Sequence, residues 1–268
     1  MSLWEALILG IVQGITEFLP VSSSGHLVLL QKIFGIQEPA LVYDTAVHGG
    51  TLLAVVVVLR KDIWNILRRI LQPLTLYIIV ATIPAVIAAL LFKHLLEEAF
   101  SSGVFLGVAF LLTSLLLLVS EKLAQKPIPA RSQDEMTWVD ALIIGLLQAV
   151  ALIPGVSRSG ATISGALSRK LDRNFAARFS FLLSIPAILG ALVFQAKDFA
   201  LLSGAPDVAG AAAGASIGLL HIAVGAISAC ITAFFSIHLA LKIVREHSLK
   251  GFALYTGILG LLLLFLKI

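Results

Sequence analysis

The chain is 268 residues long, and 59% of them are hydrophobic against only 13% that are charged, about half the roughly 25% charged content of soluble domains. With 19 basic and 15 acidic residues there is too little charge to cover a soluble domain of this size or to keep the chain disordered, and a mean hydropathy of +1.03 points to a polytopic membrane protein. A single cysteine, Cys230, excludes a disulfide scaffold, and the net charge of +4 requires no nucleic acid, because basic residues collect on cytoplasmic membrane loops.

The first residues carry no basic side chain, and the apolar run after them reaches Gln13 and Glu17 instead of a small-residue cleavage site. It therefore reads as mature protein, not as a signal peptide. A crossing helix needs about 20 apolar residues. In chain order, the run 3–34 is broken by Pro20 and by Ser22, Ser23, Ser24 and Gly25. A short span is expected at 45–59, an amphipathic interfacial stretch at 62–71, and full spans at 74–92 and 104–119. The run 139–171 is again broken, by Pro154-Gly155 and by Ser157, Arg158, Ser159 and Gly160. Full spans follow at 179–194 and 214–241, with a short one at 252–266.

The two broken runs resemble one another. Gly10, Gln13, Val21, Ser22, Ser24 and Gly25 recur 135 residues later as Gly145, Gln148, Val156, Ser157, Ser159 and Gly160. This divides one polytopic domain, 1–268, into a repeat at about 1–124, a polar cytoplasmic linker at about 125–137 and a second repeat at about 138–268. Loop charge orients the halves. Arg60, Lys61, Arg68 and Arg69 lie inside, as do 122–131, Arg169, Lys170, Arg173, Arg178, Lys242, Arg245 and Lys250; Lys93, Glu97, Glu98 and 198–207 lie outside. The fold expected is all-α: an inverted-topology repeat of six transmembrane helices, with two re-entrant helix pairs meeting near the midplane. Paired, interrupted segments of this kind mark a binding site at membrane depth.

Glu17 is an ionisable group inside an apolar run and is a functional candidate on that ground. Gln13 stands one turn before it on the same helix face, and as an amide it can orient a ligand but cannot act as a base. Ser22, Ser23, Ser24 and Gly25 form a polar turn able to receive anionic oxygens, although for any one of the three serines taken alone helix capping is the better account. His26 opens the next helix. Arg158, flanked by Ser157 and Ser159 and followed by Thr162, needs anionic oxygens, and its planar fork fits phosphate; an internal pair with Glu17 is the competing reading. His48 lines the outer mouth or merely packs. No Walker loop, hydrolase nucleophile elbow or zinc spacing occurs. A carboxylate, an imidazole, hydroxyls and an arginine together suit phosphoryl transfer. A lipid-phosphate transporter or flippase is the alternative, and a structural scaffold leaves Arg158 and Glu17 unexplained.

The segments Gln13-Gly14-Ile15-Thr16-Glu17-Phe18-Leu19-Pro20-Val21-Ser22-Ser23-Ser24-Gly25-His26 and Pro154-Gly155-Val156-Ser157-Arg158-Ser159-Gly160-Ala161-Thr162 closely resemble the two signature motifs of bacterial undecaprenyl-diphosphate phosphatases of the bacitracin-resistance type. The resemblance covers essentially the whole chain. It implies an enzyme of the bacterial inner membrane, with its site open to the periplasm, that removes the terminal phosphate of a polyprenyl diphosphate among membrane lipids and so recycles the cell-wall carrier. It implies Glu17, Ser23, His26 and Arg158 as catalytic, with Gln13, Ser22, Ser24, Gly25, Ser157, Ser159 and Thr162 holding phosphate. It also implies a divalent metal, Mg2+ or Ca2+, on Glu17. Position 13, often glutamate in that family, is Gln13 here, so a mechanism needing two carboxylates does not operate and the metal's protein ligands are reduced. Attack by Ser23 with His26 as base, and attack by water activated by His26 and Glu17, both stay open, as does a homodimer.

Overall fold

The computed structural model describes residues 1–36, 41–102, 105–125, 129–203 and 218–266. Residues 104, 126–128 and 204–217, on which parts of the expected 104–119 and 214–241 spans, the linker and the 198–207 loop fall, lie outside the described residues. The helices are α1 (Leu3–Thr16), α2 (Ser23–Ile33), α3 (Leu41–Val58), α4 (Arg60–Arg68), α5 (Pro73–Leu91), α6 (Lys93–Ser102), α7 (Leu106–Ala124), α8 (Trp138–Val150), α9 (Arg158–Ser168), α10 (Arg173–Ser203), α11 (Leu219–Glu246) and α12 (Lys250–Leu266). Apart from one isolated bridge pairing Arg131 with Leu171, no strand pairing occurs among the described residues.

Helices α5, α7, α11 and the stretch Arg173–Val193 of α10 are long and apolar enough to cross a membrane, and each overlaps one of the four full spans read from the sequence. The short span expected at 45–59 lies in α3, which passes the same test only together with α4, across a bend of 76°. Helix α12 has 17 residues, about 25 Å at 1.5 Å per residue, against a hydrocarbon core of about 30 Å. The outward faces of these helices stay apolar, with Ile79, Leu90, Leu118 and Phe235 all exposed, which suits a lipid surround. The chain is an all-helical, multi-pass membrane protein.

Both broken runs fold as helix, tip and helix at the same offset. Ser2 caps α1 and Thr137 caps α8, each in a reciprocal capping box with an acid three residues on, Glu5 and Asp140. Past the tips, Ser22 and Ser157 cap α2 and α9 by accepting the N–H of Gly25 and Gly160. Glycines let α1 and α8 pack closely on other helices. A Cβ on Gly10 would lie 2.4 Å from the Gly225 carbonyl, and one on Gly145 would lie 2.5 Å from that of Ala81, so neither position accepts a side chain. Such small-residue seams are how helices associate where lipid is as apolar as leucine. Thr232 Oγ1 donates to the Ile11 carbonyl at 3.3 Å and Ser236 Oγ to that of Ile15 at 2.7 Å. Both pairs advance by four residues together, so α1 and α11 run parallel.

Partly buried ion pairs gather at one end of the bundle. Arg178 binds Asp62 at 2.5 Å, tying α4 to α10. Glu121 at the end of α7 pairs with Arg173 and accepts the Leu249 N–H at 2.8 Å. Asp140 is fully buried and is held by Arg131 and Arg169, each at 2.7 Å. Burial pushes the Asp140 carboxyl up, but hydrogen bonds from Arg131, Arg169 and Thr137 outweigh it and bring it down to about 2 from its ordinary 3.8. A depressed carboxyl contributes stability above its unfolded value and loses it as pH falls through the folded one. The solubilised protein is therefore expected to lose about 2 kcal/mol between pH 4 and pH 2 from this group. Thermal unfolding across that window should show the loss, and Asp140→Asn should flatten it.

The matching Ile83-Pro84-Ala85 and Ile185-Pro186-Ala187 do not belong to the repeat. They lie in α5 and α10, helices that pack against each other.

Candidate active site

The tip between α1 and α2 and the tip between α8 and α9 meet in the interior. Ser159 Oγ donates to the Leu19 carbonyl at 2.9 Å, and a Cβ on Gly25 would lie 3.0 Å from the Gly155 backbone. Helix α7 braces the second tip: Thr113 Oγ1 accepts the Ser157 N–H at 3.0 Å. The sequence gives no signal for Thr113, a lone threonine in an apolar span whose partner lies 44 residues away.

Glu17 is the hub. It is 6% exposed, and its two oxygens gather groups from both tips. Arg158 Nη2 donates to Oε1 at 2.5 Å. Ser23 Oγ donates to Oε2 at 2.5 Å and Gln13 Nε2 to the same atom at 3.0 Å. His48 Nε2 stands 3.9 Å from Oε2. This imidazole therefore stands beside the Glu17 carboxylate. At the offset of 135 residues Ser23 corresponds to Arg158, and the repeat thus delivers a hydroxyl and a guanidinium to one carboxylate. The rest is unequal: Leu152 stands where Glu17 would recur, and Gln148, the partner of Gln13, donates instead to the Ala81 carbonyl.

The pair of Arg158 with Glu17 is formed, yet it does not exhaust the arginine. Arg158 Nη1 is buried without a partner, and so is Gln13 Oε1. A buried donor of a charged fork left unpaired costs more than an ordinary hydrogen bond, so Nη1 is where an anionic oxygen gains most. Gln13 Oε1 is an acceptor with nothing to accept from, beside a carboxylate. The site thus keeps one unused guanidinium donor and one unused amide acceptor beside the Glu17 carboxylate.

The remaining hydroxyls are engaged in structure. Ser22 Oγ and Ser157 Oγ cap helices, Ser159 reaches across the tips, and Thr162 Oγ1 donates to the Arg158 carbonyl at 2.9 Å while sharing a 2.6 Å contact with Ser180. Ser24 Oγ lies 3.5 Å from both Ser22 Oγ and the Gly155 N–H, at the edge of a hydrogen bond. Ser23 is the one of these hydroxyls that meets Glu17.

His26 is not joined to Ser23 or Glu17 by a hydrogen bond. Its Nδ1 lies 2.6 Å from the Ser22 carbonyl and its Nε2 lies 2.6 Å from the Tyr255 hydroxyl on α12. Ser22 itself has φ 70°, a left-handed conformation that costs a residue other than glycine about 1–3 kcal/mol and clusters at functional sites. Tyr255 was beyond sequence reading, since 229 residues separate it from His26.

Comparison with known proteins spans nearly the whole chain. The family model described as "Bacitracin resistance protein BacA" matches residues 6–262. An undecaprenyl-diphosphatase of Carboxydothermus hydrogenoformans is 45% identical over 267 residues, covering 100% of this chain and 98% of the relative. Undecaprenyl-diphosphatase 3 of Bacillus cereus is 43% identical with the same coverage. An undecaprenyl-diphosphatase of Methanosphaera stadtmanae is 39% identical over 290 residues, covering 100% of this chain and 99% of the relative.

Proposed function

We propose that this chain, which belongs to the bacitracin resistance protein BacA family, is an undecaprenyl-diphosphatase: it removes the terminal phosphate of undecaprenyl diphosphate and returns undecaprenyl phosphate to cell-wall synthesis. The observation that carries the reading is the Arg158 fork, with one arm on Glu17 and the other buried and unpaired. In the reaction, Arg158 holds the terminal phosphate, since guanidinium matches its oxygens in two-pronged fashion. Ser23 lies on Glu17 with its proton already directed at the carboxylate. It attacks the terminal phosphorus and gives that proton to Glu17; the bond from phosphorus to the bridging oxygen breaks and undecaprenyl phosphate leaves. Water then attacks the phosphorus of the phosphoserine and gives a proton to His26 Nε2, the atom that the Tyr255 hydroxyl holds in the resting site; Glu17 returns its proton to Ser23 Oγ as the bond from phosphorus to that oxygen breaks, and inorganic phosphate leaves. This assigns the base for Ser23 to Glu17 and not to His26, whose ring nitrogens are held elsewhere. Trapping phosphate on Ser23 supports this route; oxygen-18 from water appearing in phosphate without any such species returns the direct attack by water.

A divalent cation fits the residues present. The free Gln13 Oε1 and the Glu17 carboxylate are hard oxygen donors of the kind Mg2+ and Ca2+ take, with waters and substrate oxygens completing the shell. Among the described residues no cluster of three His, Cys, Asp or Glu side chains exists, so the protein's share of such a shell is small. Bound there, the ion would neutralise charge developing on the diphosphate.

We further propose the six-span, inverted arrangement in the bacterial inner membrane, with the site open to the periplasm, and with the repeats and linker bounded as the sequence suggests. Two features support it. The ion-paired end joins the loops that the charge pattern puts inside, and α8 starts there at Asp140. Helix α1 runs parallel to α11, which ends near the Glu121 and Leu249 contact, so α1 starts at the opposite end. A tail embedded in lipid explains an intramembrane site, because drawing it into water costs about 0.8 kcal/mol per CH2.

The transporter reading is separated by one assay. Detergent-solubilised protein supplied with undecaprenyl diphosphate and Mg2+ should release inorganic phosphate, with no sealed bilayer present. Absence of release from well-folded protein under any divalent metal would favour the flippase.

A further inference from the structure

We propose that Tyr255 is the positioning residue of His26, fixing the tautomer and the orientation in which the imidazole works; the proposal rests on the phosphatase reading above. The Ser22 carbonyl can only accept, so Nδ1, 2.6 Å away, carries the ring proton. In the neutral imidazole Nε2 is then a lone pair, and the Tyr255 hydroxyl 2.6 Å from it is the donor. The two contacts thus fix the ring and aim its basic nitrogen along one direction. A second nitrogen's hydrogen bond is what sets which histidine nitrogen does chemistry.

The ring has further restraints. Tyr255 stacks on it with centroids 5.7 Å apart and planes 9° apart, and Phe110 meets it edge-on at 5.4 Å and 86°. The support behind Tyr255 is stiff. Ser114 Oγ on α7 donates to the Ala253 carbonyl at 2.7 Å, and a Cβ on Gly260 would lie 2.8 Å from the Gly107 carbonyl. On its far side Tyr255 borders an open apolar groove of about 680 Å³, lined also by Ile15, Leu19, Val21 and Phe252. Tyr255 is therefore the side chain through which the closing helix reaches the site, between His26 and a surface exposed to lipid.

Tyr255→Phe keeps the stacked ring and removes only the hydroxyl. It is expected to lower kcat for phosphate release about tenfold, the size of one hydrogen bond, with KM within about twofold. In protein labelled with nitrogen-15 at histidine, the His26 Nε2 signal, assigned by its loss in His26→Gln, should move on substitution while the Nδ1 signal stays. Tyr255→Leu, which also removes the stack, should lower kcat further. A Tyr255→Phe variant with kcat unchanged, with a rise confined to KM, or with an unmoved Nε2 signal overturns the proposal. Wild-type protein releasing no phosphate would instead overturn the phosphatase reading, and the nitrogen-15 signal would still decide whether Tyr255 holds His26.

Discussion

Arg158→Lys is expected to release phosphate from undecaprenyl diphosphate at least about a hundredfold more slowly than the unaltered chain, and Arg158→Ala about a thousandfold or more. Lysine keeps the charge but offers a point donor in place of a planar fork. It can meet Glu17, as Arg158 Nη2 does at 2.5 Å, or the ligand that Nη1 awaits, but not both from one position. Alanine also leaves the Glu17 carboxylate buried without its cation. Steady-state phosphate release checks both variants, and an Arg158→Lys protein within a few fold of wild type would show that charge alone suffices.

Glu17→Gln should lose about a thousandfold in kcat, since removing a charge-bearing partner at the reacting centre falls in that range. The amide has no charge to hold Arg158 and cannot take the Ser23 proton. KM should hold or fall, because Arg158 Nη2 is released toward the substrate. A buried cation without its partner also destabilises the fold, by about 3 kcal/mol for a fully buried pair and less here, where the Arg158 side chain is 16% exposed. Inorganic pyrophosphate should restore part of the lost thermal stability by binding the folded state alone. A Glu17→Gln protein with intact kcat would remove the carboxylate from the chemistry.

Much of this was legible in the sequence, for a physical reason. Interrupting an apolar run with proline, glycine and serine is tolerated in a membrane only where protein or water receives the freed backbone, so the two tips announce themselves. The matching of the two tips and the depth of Glu17 follow from the repeat and the scarcity of charge. What stayed hidden depends on which helices become neighbours. Tyr255 has no motif and reaches His26 only because α12 packs on α7; Thr113 braces the second tip only because α7 lies beside α9. His48 could be read only as lining or packing, and its place near Glu17 is set by α3. Whether Ser23 meets His26 was open in sequence because it depends on rotation: Ser22, in a left-handed conformation, turns its carbonyl to the imidazole, whose other nitrogen meets Tyr255.

The most direct test of a single site built by both tips is phosphate release from undecaprenyl diphosphate by wild type, Glu17→Gln, Arg158→Lys and the double variant, measured side by side with Mg2+. Groups that act as a unit are not additive. The double variant should therefore be no slower than the slower single variant, within about threefold. Losses that multiply, or a double variant with near-normal release, would contradict a site in which Arg158 and Glu17 work as one.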